Sequence, residues 1–348
     1  MNLKKRKNLI GLVLFLAVSM IFLGFSSAIA KDLLVYTALE DDEVAVYLPA
    51  FQKAHPDINV TIYRDSTGIV TAKLLAEKDN IQADVVWGTA ATSLLIANDL
   101  GMLKGYNPKG VEKVRKGMKD GRDNPVRWVG IKAYVTGIVG NTIEMKAKGL
   151  KMPQSYADLL NPMYKGHLVM PNPASSGTGF LTVSAILQLM GEKKGWDYLD
   201  QLHENIAMYT HSGSKPAKMA GKGEFPIGMS FAYRGFRQRD KAGEPVEIAF
   251  PKEGSGYEVE ANALMKKPRI KKEAKIFLDW AISDEAMAMY AKVYPIVATD
   301  IKVDAPRGWP SDPMSVLIDN DLQWAAQNRK SILKEWIKRY DSKSAPKK

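Results

Sequence analysis

Three short segments set serine and threonine hydroxyls beside glycine: Asp65-Ser66-Thr67-Gly68, Ser175-Ser176-Gly177-Thr178-Gly179 and Ser212-Gly213-Ser214-Lys215. Each opens a helical pattern. The first turn of a helix exposes N–H groups without intrahelical acceptors and carries partial positive charge, and glycine lets an anion approach the backbone closely. Taken singly, each segment reads equally well as a helix cap, a position that Ser and Thr favour for local reasons. Three in one chain point to a shared shell of donors for an oxyanion. A tetrahedral phosphate or phosphonate group needs many donors, and hydrogen bonds to charged groups contribute about 1.5–3 kcal/mol each. Five or six exceed the roughly 8 kcal/mol of a micromolar complex before ordering and desolvation subtract. Such a shell needs neither metal nor cofactor.

Other residues offer complementary chemistry. Glu40, Asp41 and Glu260 are candidates for holding an ammonium, with a solvated helix cap as the plainer reading of the acids at 40 and 41. Trp87 ends a strand, where it either stacks on a cation or fills a core, and Thr89 follows it. Tyr233 and Arg234 follow another strand and point toward the same region. His55, His167, His203 and His211 have no ligand spacing and are expected to be structural, and Met287, Met289 and Tyr290 to be helix packing. H-E-x-x-H, G-x-S-x-G and G-x-x-x-x-G-K-[ST] are all missing, which removes the usual handles for a zinc protease, a serine hydrolase or a P-loop enzyme. Ser212 to Lys215 fits S-x-x-K, but its companion K-T-G is not in the sequence.

The elements that must position these residues alternate. Strand patterns at 33–38, 58–63 and 83–88 are each followed by a helical one, which predicts a mostly parallel sheet covered by helices. A long extended stretch, 128–141, leads into a second series: a helix near 156–160, a strand at 167–170, helices at 179–190 and 192–204, and strands at 225–231 and 246–250. A second extended stretch covers 258–265, and a wholly helical pattern follows. We therefore expect two α/β lobes, the second inserted into the first: 31–134 with 264–348, and 135–263. The two extended stretches are the hinge connections, and the ligand cleft lies between the lobes at the carboxyl ends of the strands.

Composition narrows the function classes. At 348 residues the chain can bury two cores, and a cysteine count of 0 excludes disulfides, thiol nucleophiles and thiolate metal sites. Lys4, Lys5, Arg6 and Lys7 precede an apolar run that ends in Ala28-Ile29-Ala30, the pattern of a cleaved export signal over residues 1–30. The formal charge of +11 includes those four cations, so the remainder is moderately basic. Its basic residues are not interleaved with stacking aromatics, and nucleic acid is not an expected partner.

With these residues in hand, the sequence from Leu33 to about Ala298 resembles the periplasmic solute-binding proteins of ABC importers in the ferric-iron and phosphonate branch. Within that branch, Ala76 to Gly88 (AEKDNIQADVVWG), Met170 to Phe180 (MPNPASSGTGF) and His203 to Pro216 (HENIAMYTHSGSKP) look most like proteins that bind 2-aminoethylphosphonate. The resemblance implies a two-lobed type II periplasmic binding fold and a non-enzymatic, monomeric receptor that hands its ligand to a membrane permease. It carries over Ser66, Thr67, Ser175, Ser176 and Thr178 as the matching hydroxyl turns. Iron-binding relatives hold Fe(III) with adjacent tyrosines, whereas here Tyr233 is followed by Arg234, so a cation stands where a second phenolate would be. A ferric-iron receptor and an exported phosphonate or phosphate-ester enzyme are the alternatives.

Overall fold

The computed structural model describes residues 31–303 and 305–346, so the expected export signal at 1–30 lies outside the described residues. The chain begins with strand β1 (Lys31–Thr37), helix α1 (Asp41–Ala54), β2 (Ile58–Arg64), α2 (Thr67–Ala76), β3 (Val85–Ala90) and α3 (Ala91–Asp99). β1 pairs in parallel with β2 on one side and β3 on the other, as three strand–helix units require. In α1 the buried stripe is Glu43, Tyr47 and Phe51, spaced by four, so a carboxylate stands where the pattern calls for an apolar residue.

A two-residue strand β4 (Leu103–Lys104) precedes β5 (Val129–Asn141), thirteen residues long and buried throughout. After α4 (Thr142–Ala147) come β6 (Leu168–Pro171), α5 (Gly177–Met190), α6 (Glu192–Asn205), β7 (Ile206–Thr210), α7 (Lys215–Gly221), β8 (Ile227–Phe231), α8 (Ala232–Asp240), β9 (Val246–Ala249) and β10 (Tyr257–Met265). β6 pairs in parallel with β7 and β8, repeating the arrangement of the first series. The sheet path is β2-β1-β3-β10-β5-β8-β6-β7, with β4 on β10 and β9 on β5. The long strands run antiparallel to their neighbours: β5 pairs with β10 through its first half and with β8 and β9 through its second. The two expected extended connections are thus paired strands in one mixed sheet.

Burial follows the same division. One apolar cluster surrounds β1, β3 and the first half of β5; a second surrounds β6 and β7 with α5 and α6. Two sequence expectations change here. The helix near 156–160 is a pair of 3-10 turns, Asp158–Leu160 and Pro162–Tyr164, because Pro162 interrupts the pattern. The region after β10 is not wholly helical: α9 (Lys272–Ala281) and α10 (Asp284–Ala291) give way to an irregular segment with Pro295, Pro306, Pro310 and Pro313 before α11 (Leu322–Tyr340). The expected division of the chain puts α11 with the first lobe. Instead α11 packs on both clusters: Ala326 buries in the first, while Ala325, Ile332, Trp336 and Tyr340 bury in the second, where the Tyr340 hydroxyl donates to Asp200 at 2.6 Å.

Candidate functional site

The ends of β2 and β8, the segment after β1, the middle of β5 and of β10, and the starts of α2 and α5 converge on a cleft open to solvent. Of the residues singled out in the sequence, Glu40, Ser66, Thr67, Ser176, Gly177, Thr178 and Glu260 line it, as does Gly213 of the third turn. Arg64, Glu43, Tyr134 and Tyr294 complete its polar lining.

The hydroxyl turns meet in space. The Gly68 amide donates to the Ser175 carbonyl at 3.0 Å, joining the first turn to the second. A Cβ on Gly177 would lie 2.7 Å from Thr67 Oγ1 and 2.8 Å from the Tyr134 hydroxyl, and one on Gly213 would lie 2.4 Å from Thr178 Oγ1. Glycine at those two positions is what lets the turns close on one another. The turns differ in how their side chains are used. Ser176 caps α5, its Oγ accepting from the Gly179 amide at 3.2 Å, whereas Ser66 at the head of α2 makes no cap bond and leaves its hydroxyl to the cavity. The Tyr134 hydroxyl is buried without a partner among the described residues.

The rest of the polar lining is built from charges. Lys132 on β5, fully buried, lies opposite Glu260 on β10 in the antiparallel register. Its Nζ is in contact with Glu260, donates to Glu43 Oε1 at 2.8 Å and sits 3.6 Å above the Tyr294 ring. Burial alone would lower the Lys132 pKa, but Glu260 and Glu43 outweigh it and hold the ammonium above its ordinary value. Burial pushes Glu260 up to about 7 against the pull of Lys132, with Glu43 adding to the rise. Beside this cluster, Arg234 of α8 reaches back to α1. It holds Asp42 through two bonds of 3.0 and 3.2 Å and lies 3.1 Å from Glu40, while Arg237 meets Asp42 at 2.7 Å. Burial opposes the ionised form of Asp42, and the Arg234 and Arg237 guanidiniums more than offset it, leaving Asp42 below the usual carboxylate range.

Several expected site residues do not line the cavity. Trp87 is a core residue, its ring against Phe277 and Trp280 and its indole N–H donating to Tyr290 at 3.3 Å, so it has no open face for a cation. Thr89 lies inside β3, fully buried. Ser175 turns its hydroxyl to the His211 carbonyl, and Ser212 and Ser214 approach each other at 3.5 Å behind Gly213. Lys215 points outward at the start of α7, exposed to solvent. Tyr233 backs the site: its ring lies 4.6 Å from that of Tyr294, and its hydroxyl accepts from Arg237. Gly68 serves the contact between the turns. Met287 and Tyr290 pack in the core as expected.

Sequence reasoning passed over Glu43, Arg64, Lys132, Tyr134 and Tyr294 as site residues. Arg64 ends β2, its Nε donating to the Leu39 carbonyl at 2.9 Å. The signal for Lys132 was present: the one charged residue in a buried strand, VGIKAYVTGIVGN, has to find buried carboxylates.

Residues 82–315 match the family of bacterial extracellular solute-binding proteins. An uncharacterized protein of Haemophilus influenzae is 29% identical over 322 residues, covering 89% of this chain and 91% of that one. A probable ABC transporter periplasmic-binding protein of Sinorhizobium fredii is 23% identical, covering 83% of this chain and 80% of its own. Among solved structures, the periplasmic binding protein AfuA from Actinobacillus pleuropneumoniae, with exogenous fructose-6-phosphate bound, superposes with a TM-score of 0.81 at 28% identity, covering 89% of this chain and 99% of that one. Iron-bound HitA from Pseudomonas aeruginosa, 20% identical with a TM-score of 0.74 over 88% of this chain and 99% of its own, shares the fold. With an open sheet flanked by helices, as in these two-lobed type II binding proteins, and a polar cleft, the chain belongs to the family of bacterial extracellular solute-binding proteins.

Proposed function

We propose that the ligand is 2-aminoethylphosphonate or a close organophosphonate, bound in the cleft and released intact to the permease. The observation that carries this assignment is the mixed lining, which sets hydroxyls and free helix-start amides in one cleft with carboxylates. The phosphonate sits on Ser66, Thr67 and the Ser176-Gly177-Thr178 turn, where the Thr67, Gly177 and Thr178 amides have no intrahelical acceptors. The ammonium faces Glu43 and Glu260, with Glu40 nearby. Closure follows a hinge about β5 and β10 that brings 31–134 with 264–348 against 135–263, and the mature protein, after removal of residues 1–30, acts as a monomer.

A sugar phosphate is the second assignment. It is favoured by the fructose-6-phosphate in the AfuA structure and by carboxylates able to accept sugar hydroxyls. Ferric iron is disfavoured because Arg234 follows Tyr233 and Arg237 already donates to the Tyr233 hydroxyl. Titration calorimetry of the mature protein against 2-aminoethylphosphonate, fructose-6-phosphate, phosphate and ferric citrate tests the assignment. Tightest binding is expected for the aminophosphonate; tight sugar phosphate or iron binding without aminophosphonate heat overturns it. Chromatography of the ligand after overnight incubation separates a receptor, which returns it unchanged, from an exported esterase.

A further inference from the structure

Glu43 and Glu260 share a single ammonium. Lys132 touches both, and when all three groups are ionised the cluster carries one negative charge in excess, in a wall where Lys132 is fully buried and Glu260 nearly so. The groups facing Glu260 from the surrounding elements do not supply the missing cation. Tyr134 lies along β5, Tyr47 belongs to α1, and Tyr290 and Tyr294 come from α10 and the segment after it; burial pushes all four phenols up, so they stay neutral. Glu40, at the head of α1, has Arg234 at 3.1 Å, Arg64 at 3.8 Å and Lys218 at 3.9 Å as its own cations. A buried excess charge of this kind is discharged by a proton or by a cation from the cleft, onto which Glu43 and Glu260 both open.

We propose that these two are exchanged. A ligand ammonium entering beside Glu43 and Glu260 displaces a proton held on Glu260, which passes to solvent, so that binding of an amino-bearing phosphonate releases a proton while an anion without an amine leaves that proton in place. The cluster then acts as a specificity filter: it rewards the amine, and does so more strongly as pH rises. The rise of Glu260 to about 7 places the exchange near neutral pH. The exchange rests on the aminophosphonate assignment above.

The experiment is calorimetry of wild type and Glu260→Gln with 2-aminoethylphosphonate at pH 7, in buffers of low and high ionisation enthalpy, to count protons released per ligand. Deprotonation of the phosphonate itself is common to both proteins, so their difference reads the carboxyl. Wild type is expected to release about half a proton more than the variant at pH 7, and this difference should shrink toward pH 8.5. Equal proton counts overturn the exchange while leaving the receptor assignment standing; no binding of 2-aminoethylphosphonate overturns both. Should Glu260→Gln not fold, the wild-type affinity ratio of 2-aminoethylphosphonate to ethylphosphonate serves, corrected for each ligand's own titration. It is expected to rise about tenfold from pH 6 to pH 8, and a flat ratio refutes the exchange.

Discussion

The two walls of the cleft are made in different ways. The hydroxyl wall comes from short turns at the starts of α2 and α5, where neighbouring residues supply hydroxyls, free amides and the glycines that let the turns meet. The carboxylate wall is assembled from single residues far apart in sequence: Glu43 on α1, Lys132 on β5 and Glu260 on β10. Each hydroxyl turn is local in sequence, although the wall forms only where α2 and α5 meet. The other wall exists only when the register of β5 against β10 is correct, so its charges report on the fold itself. Damage to the carboxylate wall should therefore appear first in stability, and damage to the hydroxyl wall first in affinity.

The largest effect tests that contrast directly. Lys132→Met leaves Glu43 and Glu260 facing each other without their shared ammonium, and removing one partner from a buried ion pair typically costs about 3–5 kcal/mol. Urea unfolding at pH 7 should show that loss. Because protonation relieves two unpaired carboxylates, the deficit should narrow as pH falls to 5. A variant as stable as wild type at pH 7 would mean that the cluster contributes no more than a surface pair.

Ser66→Ala combined with Thr67→Val comes next and strikes the other wall. Two hydrogen bonds to a charged head group disappear, and affinity should fall by about 2–4 kcal/mol in calorimetry, with folding stability changed by less than about 1 kcal/mol. Loss of stability without loss of affinity would reverse the roles of the walls.

These differences also explain what could be read from sequence. The hydroxyl turns were legible because their chemistry is contiguous: Ser176, Gly177 and Thr178 are neighbours in the chain and in the site. Glu260 was legible as an acid, but not as the partner of Lys132, since no local pattern links residues on strands that meet through register alone. Trp87 misled because the end of a strand is both where ligands bind and where a sheet buries its largest side chains, and only packing against Phe277 and Trp280 decides between them. The third turn was half right: its backbone at Gly213 reaches the cavity, while Ser212, Ser214 and Lys215 turn elsewhere. The α/β alternation gave both parallel three-stranded sets, whereas the proline-rich stretch before α11 ended the expected run of helix.

A third test uses a buried acid outside the cleft as a reference for Glu260. Glu258, two residues earlier on β10, is pushed up to about 7 by burial, against the Thr92 hydroxyl that donates to it at 2.6 Å. Its folded form holds a proton more tightly than the unfolded chain, whose glutamate titrates near 4.5. The folded state therefore binds more protons across this window, and stability falls as pH rises from about 4.5 to 7. Glu258→Gln should remove part of that fall, about 1–3 kcal/mol, leaving ligand affinity unchanged. If thermal melts of the variant and wild type keep the same pH slope, Glu258 is not the group responsible.

The smallest expected effect separates the two serines that head the hydroxyl turns. Both precede a helix, but only Ser176 caps one, through the Gly179 amide; Ser66 makes no such bond. Ser176→Ala should therefore cost about 1 kcal/mol of folding stability as a lost cap, and Ser66→Ala only a few tenths. With the aminophosphonate the two losses should be similar, because Ser176 accepts from the Gly179 amide and still has its O–H to donate, as Ser66 does. Parallel denaturation and calorimetry on the two single variants read both effects. If Ser66→Ala proves the more destabilising, its hydroxyl caps α2 in solution, and the first turn contributes to the cleft through its backbone and Thr67 alone.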